Sequence, residues 1–191
     1  MNKKIDFILG MIFAASTVVF LLFFLTNEPF FNWAFERHHN ILSWYIRPLF
    51  IIPIVAFAFR RELTGIFASI FALFTSMFWF PAPMESSPQM ISFLSYEMEY
   101  MKGLWTAPKI LMSLLVPIFF AMLIIATWKK SWKLLLGTVI SAAVLKVLWS
   151  IKFSGEAGLS ILKPAIIGLF ICIVGLYCYF KKAKKMIRIL V

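Results

Sequence analysis

The distribution of charged residues constrains the fold of this chain more than any other feature of its sequence. Most of the lysines and arginines fall into four clusters, and long apolar stretches separate the clusters. The clusters are Lys3/Lys4, Arg60/Arg61, Lys129/Lys130/Lys133 and the basic residues between 181 and 188. Because hydrocarbon excludes charge, this pattern predicts a chain that crosses a lipid bilayer repeatedly, with its basic clusters on one side.

The composition excludes two classes of protein. With 62% hydrophobic and 14% charged residues, the chain differs strongly from soluble domains, which have roughly 45–50% apolar and about 25% charged residues. The net charge of +11 lies at predicted helix ends, with no basic stripe and no stacking platform, so we expect no nucleic-acid partner. The positive charge instead predicts contact with membrane lipids, including anionic headgroups.

Six stretches are long and apolar enough to be membrane spans, which need about 20 residues each. They cover residues 5–25, 41–59, 64–80, 110–128, 132–151 and 160–180. The first is longer than a signal-peptide core and is expected to be retained as a helix. The third is short and ends at Pro81, so a re-entrant turn is its alternative. The sequence therefore predicts an all-α, polytopic membrane protein that forms a single transmembrane domain over residues 1–191.

The positive-inside rule orients the predicted spans. Basic clusters follow the even-numbered spans and precede the odd-numbered ones. Both termini are therefore expected in the cytoplasm, in a plasma membrane of the bacterial inner-membrane type. Of the acidic residues, only Asp6 and Glu62 fall on the predicted inner side.

Two connections on the predicted outer side have helical patterns of their own. The first helix is expected over residues 28–39, because Asn27 suits an N-cap and Glu28 and Pro29 suit a first turn. The second is expected over residues 89–105, where apolar residues recur at spacings of three and four. Both would be short amphipathic helices on the external side, and the second would lie in the outer interface or cover the bundle.

Cations recur near the outer ends of the predicted spans. Arg47, Lys109 and Lys163 each lie next to a proline, and Lys146 lies about five residues before the end of the fifth span. With the glutamates on the connections, they are the predicted lining of an outward-facing polar cavity: Arg47, Lys109, Lys146, Lys163, Glu36, Glu85 and Glu156. For the three lysines, the alternative is that their side chains extend to the lipid headgroups.

Arg47 and the segment Glu36–His39 carry the most specific expectations. The guanidinium group of Arg47 can hold a carboxylate through two hydrogen bonds, and Glu36 or Glu85 is the favoured partner. Glu36, His38 and His39 are candidates for a divalent metal site or a proton relay, with interfacial packing as the alternative. A metal would need further carboxylates, because two histidines are few and no HExxH motif is present. No other cofactor is predicted.

Three functions remain open at this level. The leading hypothesis is a small permease or channel whose outer cavity accepts an anionic or zwitterionic small solute. The first alternative is a membrane-embedded enzyme that acts on a lipid or isoprenoid at the outer leaflet. The second is an accessory subunit without chemistry of its own, which would have a larger membrane partner or form an oligomer. Enzyme motifs such as a P-loop, a dinucleotide fingerprint or GxSxG are absent from the sequence.

Overall fold

The computed structural model describes the backbone of residues 2–189 and the side chains of residues 2–181, and most of this part of the chain is helical. These residues form no strand, and the all-α prediction is confirmed. The helices are α1 Lys3–Thr26, α2 Glu28–His38, α3 Ile41–Leu49, α4 Ile51–Arg60, α5 Leu63–Thr75, α6 Pro88–Lys102, α7 Ala107–Ser113, α8 Leu115–Trp128, α9 Trp132–Ser154 and α10 Leu162–Ile189. Two 3-10 segments, Ser76–Phe78 and Gly155–Ile161, follow α5 and α9.

Four helical regions of the described chain are long and apolar enough to cross a bilayer. They are Lys3–Thr26, Ile41–Arg60, Ala107–Trp128 and the 50-residue region Trp132–Lys181. A shorter apolar helix covers Leu63–Phe78. Such helices are typical of a helical membrane protein. The fifth and sixth predicted spans share the longest region, and the third predicted span corresponds to the short helix.

Prolines account for two of the helix boundaries. A proline ring clashes with the carbonyl group four residues earlier and removes one helical hydrogen bond. Pro53 is four residues after Leu49, where α3 ends, and Pro117 is four residues after Ser113, where α7 ends. Each proline thus prevents the regular helical hydrogen bond to the last residue of the preceding helix. Two apolar helical regions are therefore kinked near their centres.

Contacts between distant residues bring the basic clusters to one end of the bundle. Near the start of the chain, the carboxylate of Asp6 accepts a hydrogen bond from the backbone N–H of Thr64, just after the α4–α5 turn (3.0 Å). The ring of Phe180, beside Lys181, packs against Phe59 at the end of α4 and Trp132 at the start of α9. We call this end of the molecule the basic end.

A second apolar core lies at the other end, which we call the outer cap after the orientation expected from the sequence. It consists of α2, α3, α6, the end of α1 and the 3-10 segment Ser76–Phe78. Its buried residues are largely aromatic or sulfur-containing: Phe24, Phe31, Ala34, Phe35, Trp44, Met77, Met90, Phe93 and Leu94. The main core, between the helices of the bundle, is aliphatic except for Phe120: Ile54, Val55, Ala58, Ile66, Ile70, Phe120, Leu123, Ala126, Leu135, Val139 and Leu176. The aromatic core holds the outer cap on the ends of the helices.

Small residues let α10 pack closely on the kinked helix pair α3 and α4. A Cβ atom at Gly168 would lie 2.7 Å from Cγ of Pro48, and one at Gly175 would lie 2.6 Å from Cδ1 of Ile52. Between them, the thiol of Cys172 donates a hydrogen bond to the carbonyl oxygen of Pro48 (3.0 Å). The small faces required by close helix packing in membranes explain these residues.

Candidate functional site

His38 forms the centre of a hydrogen-bonded network in the outer cap. Its side chain is buried, with Nδ1 2.8 Å from Oγ of Ser43 and Nε2 3.3 Å from Nη1 of Arg47. A guanidinium group can only donate, so Nε2 must accept and the ring proton must be on Nδ1. Ser43 then accepts from Nδ1 and donates to the carbonyl oxygen of Asn40 (2.7 Å). This arrangement of hydrogen bonds requires a neutral imidazole.

The tight turn between α2 and α3 places the members of this network together. Asn40 begins α3 as its N-cap, and its side chain accepts a hydrogen bond from the N–H of Leu42 (3.1 Å). His38 therefore ends one helix and Ser43 lies in the first turn of the next. The indole N–H of Trp44 closes the turn by donating to the carbonyl oxygen of His38 (2.9 Å).

Burial keeps His38 neutral. Loss of hydration lowers the pKa of His38 well below its ordinary value of 6.5, and the positive charges of Arg47, Lys146 and His39 lower it further. Both ring nitrogens already have partners inside the protein. The imidazole is therefore a neutral acceptor that orients Arg47 near pH 7.

One ion pair lies beside this network. Oε1 of Glu97 is 2.6 Å from Nζ of Lys146. The carboxylate also interacts electrostatically with Arg47, with which it forms no ion pair. The ammonium group of Lys146 lies 5.6 Å from the ring centre of Phe93. Arg47 is partly buried, and none of its other N–H groups has a partner among the described residues. We call Arg47, Glu97 and Lys146 the outer charge triad, which has one more positive charge than negative.

Lys109 has a separate, structural role. It is buried, and its ammonium group donates hydrogen bonds to the backbone oxygens of Tyr100, Met101 and Gly103 at the end of α6. The ring of Trp105 lies 4.5 Å away and covers the charge. A cation at a helix C-terminus satisfies free carbonyl groups and interacts favourably with the helix dipole. Lys109 therefore caps α6 and does not contact the outer charge triad.

The remaining predicted cavity residues are exposed. Glu36, Glu85, Glu156 and Lys163 form no ion pair or side-chain hydrogen bond with any described residue. Arg47 consequently contacts His38 rather than Glu36 or Glu85. The structure brings together only Arg47 and Lys146 from the predicted cavity lining.

The three candidates for a metal site or proton relay are also separated by their contacts. Glu36 is exposed, His38 is engaged with Ser43 and Arg47, and His39 directs Nδ1 to the carbonyl oxygen of Phe35 (2.8 Å). Across residues 2–189, no three His, Cys, Asp or Glu side chains are grouped so that they could hold a metal ion.

Glu97 and Ser43 complete the network. Glu97 is one of the glutamates on the connections that were expected to face the cations, but it had no assigned partner, and Ser43 was not expected in the network. A signal for Glu97 was present, because it lies three or four residues from Phe93, Leu94 and Met101 on the apolar face of the amphipathic helix. A carboxylate on that face needs a buried or interfacial partner. For Ser43 there was no comparable signal.

Two pockets lie away from the triad. One of about 520 Å³ lies at the basic end, and an open groove of about 470 Å³ runs along α1 beside Phe71. Neither is lined by the predicted cavity residues.

Comparison with known proteins finds no matching family model, curated protein or solved structure. The function must therefore be argued from the outer charge triad.

Proposed function

We propose that this chain is a six-span permease or channel of the bacterial inner membrane, with both termini cytoplasmic, that binds an anionic or zwitterionic small solute at its outer face. The observation that carries the proposal is the outer charge triad. Lys146 forms an ion pair with Glu97, the charge of Glu97 also acts on Arg47, and Arg47 keeps N–H groups without partners among the described residues.

The charge and geometry of the triad favour an anionic group as its ligand. A guanidinium group binds carboxylate or phosphate through two parallel hydrogen bonds. His38 holds one edge of the guanidinium group in place and, being neutral, leaves its charge uncompensated. An incoming anion would take up the remaining N–H groups of Arg47. In the empty site, Glu97 limits the repulsion between the two cations.

Two features support six spans. The long region Trp132–Lys181 is interrupted at Gly155, whose positive φ of 56° reverses the chain, and the following 3-10 segment packs against α9 at Gly158. Division there gives two spans. The short helix Leu63–Phe78 would be the sixth span. It packs against α1 at Asp6 and Gly10, which supports its insertion in the membrane beside α1.

The outer half of the α7–α8 region offers an element that can move. Every residue from 110 to 118 except Ser113 is exposed. This segment therefore has no continuous face that packs against the rest of the bundle. The break at Ser113 provides a hinge.

The accessory-subunit hypothesis is the second candidate. The apolar surface of residues 110–118 would be covered by a larger membrane partner or by a second copy of the chain. Co-purification of another membrane protein from mild detergent would favour it. The enzyme hypothesis has less support, because Glu36, His38 and His39 do not form a common centre. Lipids with anionic headgroups remain the expected surroundings, and no nucleic-acid partner is proposed.

A flux assay tests the proposal. Protein reconstituted in liposomes is assayed with chloride, phosphate and glutamate as probes, for the unmodified chain and for Arg47→Gln and Lys146→Gln. The matched control is Lys163→Gln, which removes an exposed lysine outside the triad. We expect both triad variants to lose at least about tenfold in the flux of one probe, corresponding to about 1.4 kcal/mol, while the control retains it. Flux that is unchanged in the triad variants, or lost equally in all three, would contradict the proposal.

A further inference from the structure

The pocket at the basic end combines apolar walls with a positively charged mouth. Its volume is about 520 Å³, within the range of ligand-binding pockets. The walls come from four helices and are mainly aromatic: Phe59, Trp132, Leu135, Tyr177 and Phe180. Lys130 and Lys181 also line it, and both are exposed. The pocket is thus amphipathic, with an apolar interior and cations facing the water.

No carboxylate neutralises these two lysines. Neither Lys130 nor Lys181 forms an ion pair with any of the described residues, which include every Asp and Glu of the chain. Beside Lys130, the hydroxyl group of Ser131 accepts a hydrogen bond from the N–H of Leu134 (3.3 Å) but donates none to a described residue. The mouth therefore offers two positive charges and a free hydroxyl donor.

The backbone at Lys130 adds an independent observation. Lys130 has a φ of 53°, a left-handed conformation that glycine adopts most readily at the end of a helix. The turn is closed by hydrogen bonds from the N–H of Lys130 to Thr127 and from the N–H of Ser131 to Ala126 (both 3.0 Å). A lysine in this position retains a strained conformation where glycine would be relaxed, and its charge lies at the rim of the pocket.

We infer that this pocket binds one anionic phospholipid of the membrane leaflet at the basic end. The phosphate group lies between Lys130 and Lys181 and accepts from Ser131, and an acyl chain lies along the aromatic wall. Charge complementarity and the apolar wall select an anionic amphiphile over a free anion or a zwitterionic lipid. This site is independent of the outer charge triad, from which it is separated by the main core.

Lipid titration monitored by native mass spectrometry tests the inference. The purified full chain in detergent is titrated with phosphatidylglycerol and with phosphatidylcholine that has the same acyl chains. We expect tighter binding of phosphatidylglycerol, and about thirtyfold weaker binding in the double variant Lys130→Gly/Lys181→Gln. Glycine at position 130 suits the left-handed backbone, so loss of binding would not reflect a damaged turn.

The matched control is Lys3→Gln/Lys4→Gln, which removes the same charge from the basic end outside the pocket. We expect it to bind phosphatidylglycerol as the unmodified chain does. Equal weakening in both double variants would show diffuse attraction to surface charge and would overturn the inference. So would equal binding of the two lipids, or competition by glycerol phosphate at the same concentration as the lipid, since glycerol phosphate lacks the acyl chains.

Discussion

The close contact between α10 and α3 makes Gly168 a sensitive position. A Cβ atom there would lie 2.7 and 2.8 Å from Cγ and Cβ of Pro48, whose ring cannot rotate away. Ordinary contacts between carbon atoms are about 3.5–4.0 Å, so Gly168→Ala requires a helix displacement of roughly 0.7 Å or more. Overpacking of this kind typically costs about 1–3 kcal/mol.

A second glycine provides the matched control. At Gly137, in the interior of α9, an added Cβ atom meets nothing within 4 Å. Both substitutions gain the same helix propensity, so the difference between them isolates the clash. We expect Gly168→Ala to be about 1–3 kcal/mol less stable than Gly137→Ala in denaturant unfolding from detergent micelles.

The displacement also has a functional consequence, because Pro48 directly follows Arg47. A shift of α3 would move the guanidinium group relative to His38, to which it is joined by a 3.3 Å contact. Gly168→Ala should therefore reduce flux as well as stability, whereas Gly137→Ala should reduce neither. Equal stability of the two alanine variants would refute the reasoning about the α3–α10 contact.

Three further predictions concern buried polar groups. Asp6→Ala should lower the thermal midpoint, because the carboxylate of Asp6 accepts hydrogen bonds from the first N–H groups of α5. Glu62→Ala should not, because Glu62 is at the N-cap position of α5 but its side chain accepts no such bond. The pKa of His38 is lowered in the folded protein, so below about pH 6.5 the unfolded chain binds a proton that the native state excludes. The free energy of unfolding should therefore fall with pH by up to about 1.4 kcal/mol per pH unit. His38→Gln should remove this slope in unfolding measured from pH 7.5 to 5. Lys109→Met should speed amide hydrogen exchange over residues 98–104 by about tenfold, whereas the exposed Lys163→Met should leave it unchanged.

Apolar runs identified the long helices because a helix that crosses the hydrocarbon core needs about 20 consecutive, mostly apolar residues, which can be read directly from the sequence. The predicted spans 5–25 and 110–128 lie within the regions Lys3–Thr26 and Ala107–Trp128. Helices α2 and α6 likewise occupy the segments expected to be helical between spans. Their caps and their spacing of three and four are local signals, and local signals are readable without knowledge of the fold.

Pairing between distant side chains was not readable in this way. Lys109 was expected in a cavity, yet it caps α6, because the direction of its side chain depends on how the 103–106 connection turns. The contact of Asp6 with Leu63 joins residues 57 positions apart. A rotation of one helix by one residue, about 100°, would exchange the partners in each case, and a single sequence does not specify that rotation. For this reason the charges indicated which end of the bundle is polar but did not identify His38 as the partner of Arg47.

The proposed function requires that the outer cap and the basic end lie on opposite sides of the membrane. Single cysteines introduced as Glu99→Cys and Lys130→Cys, in a chain with Cys172 and Cys178 replaced by alanine, are treated with a membrane-impermeant maleimide in sealed right-side-out vesicles. We predict that the cysteine at 99 reacts from outside and that the cysteine at 130 reacts only after permeabilisation. Reaction of both from the same side would contradict the proposed topology and, with it, an outward-facing solute site at Arg47.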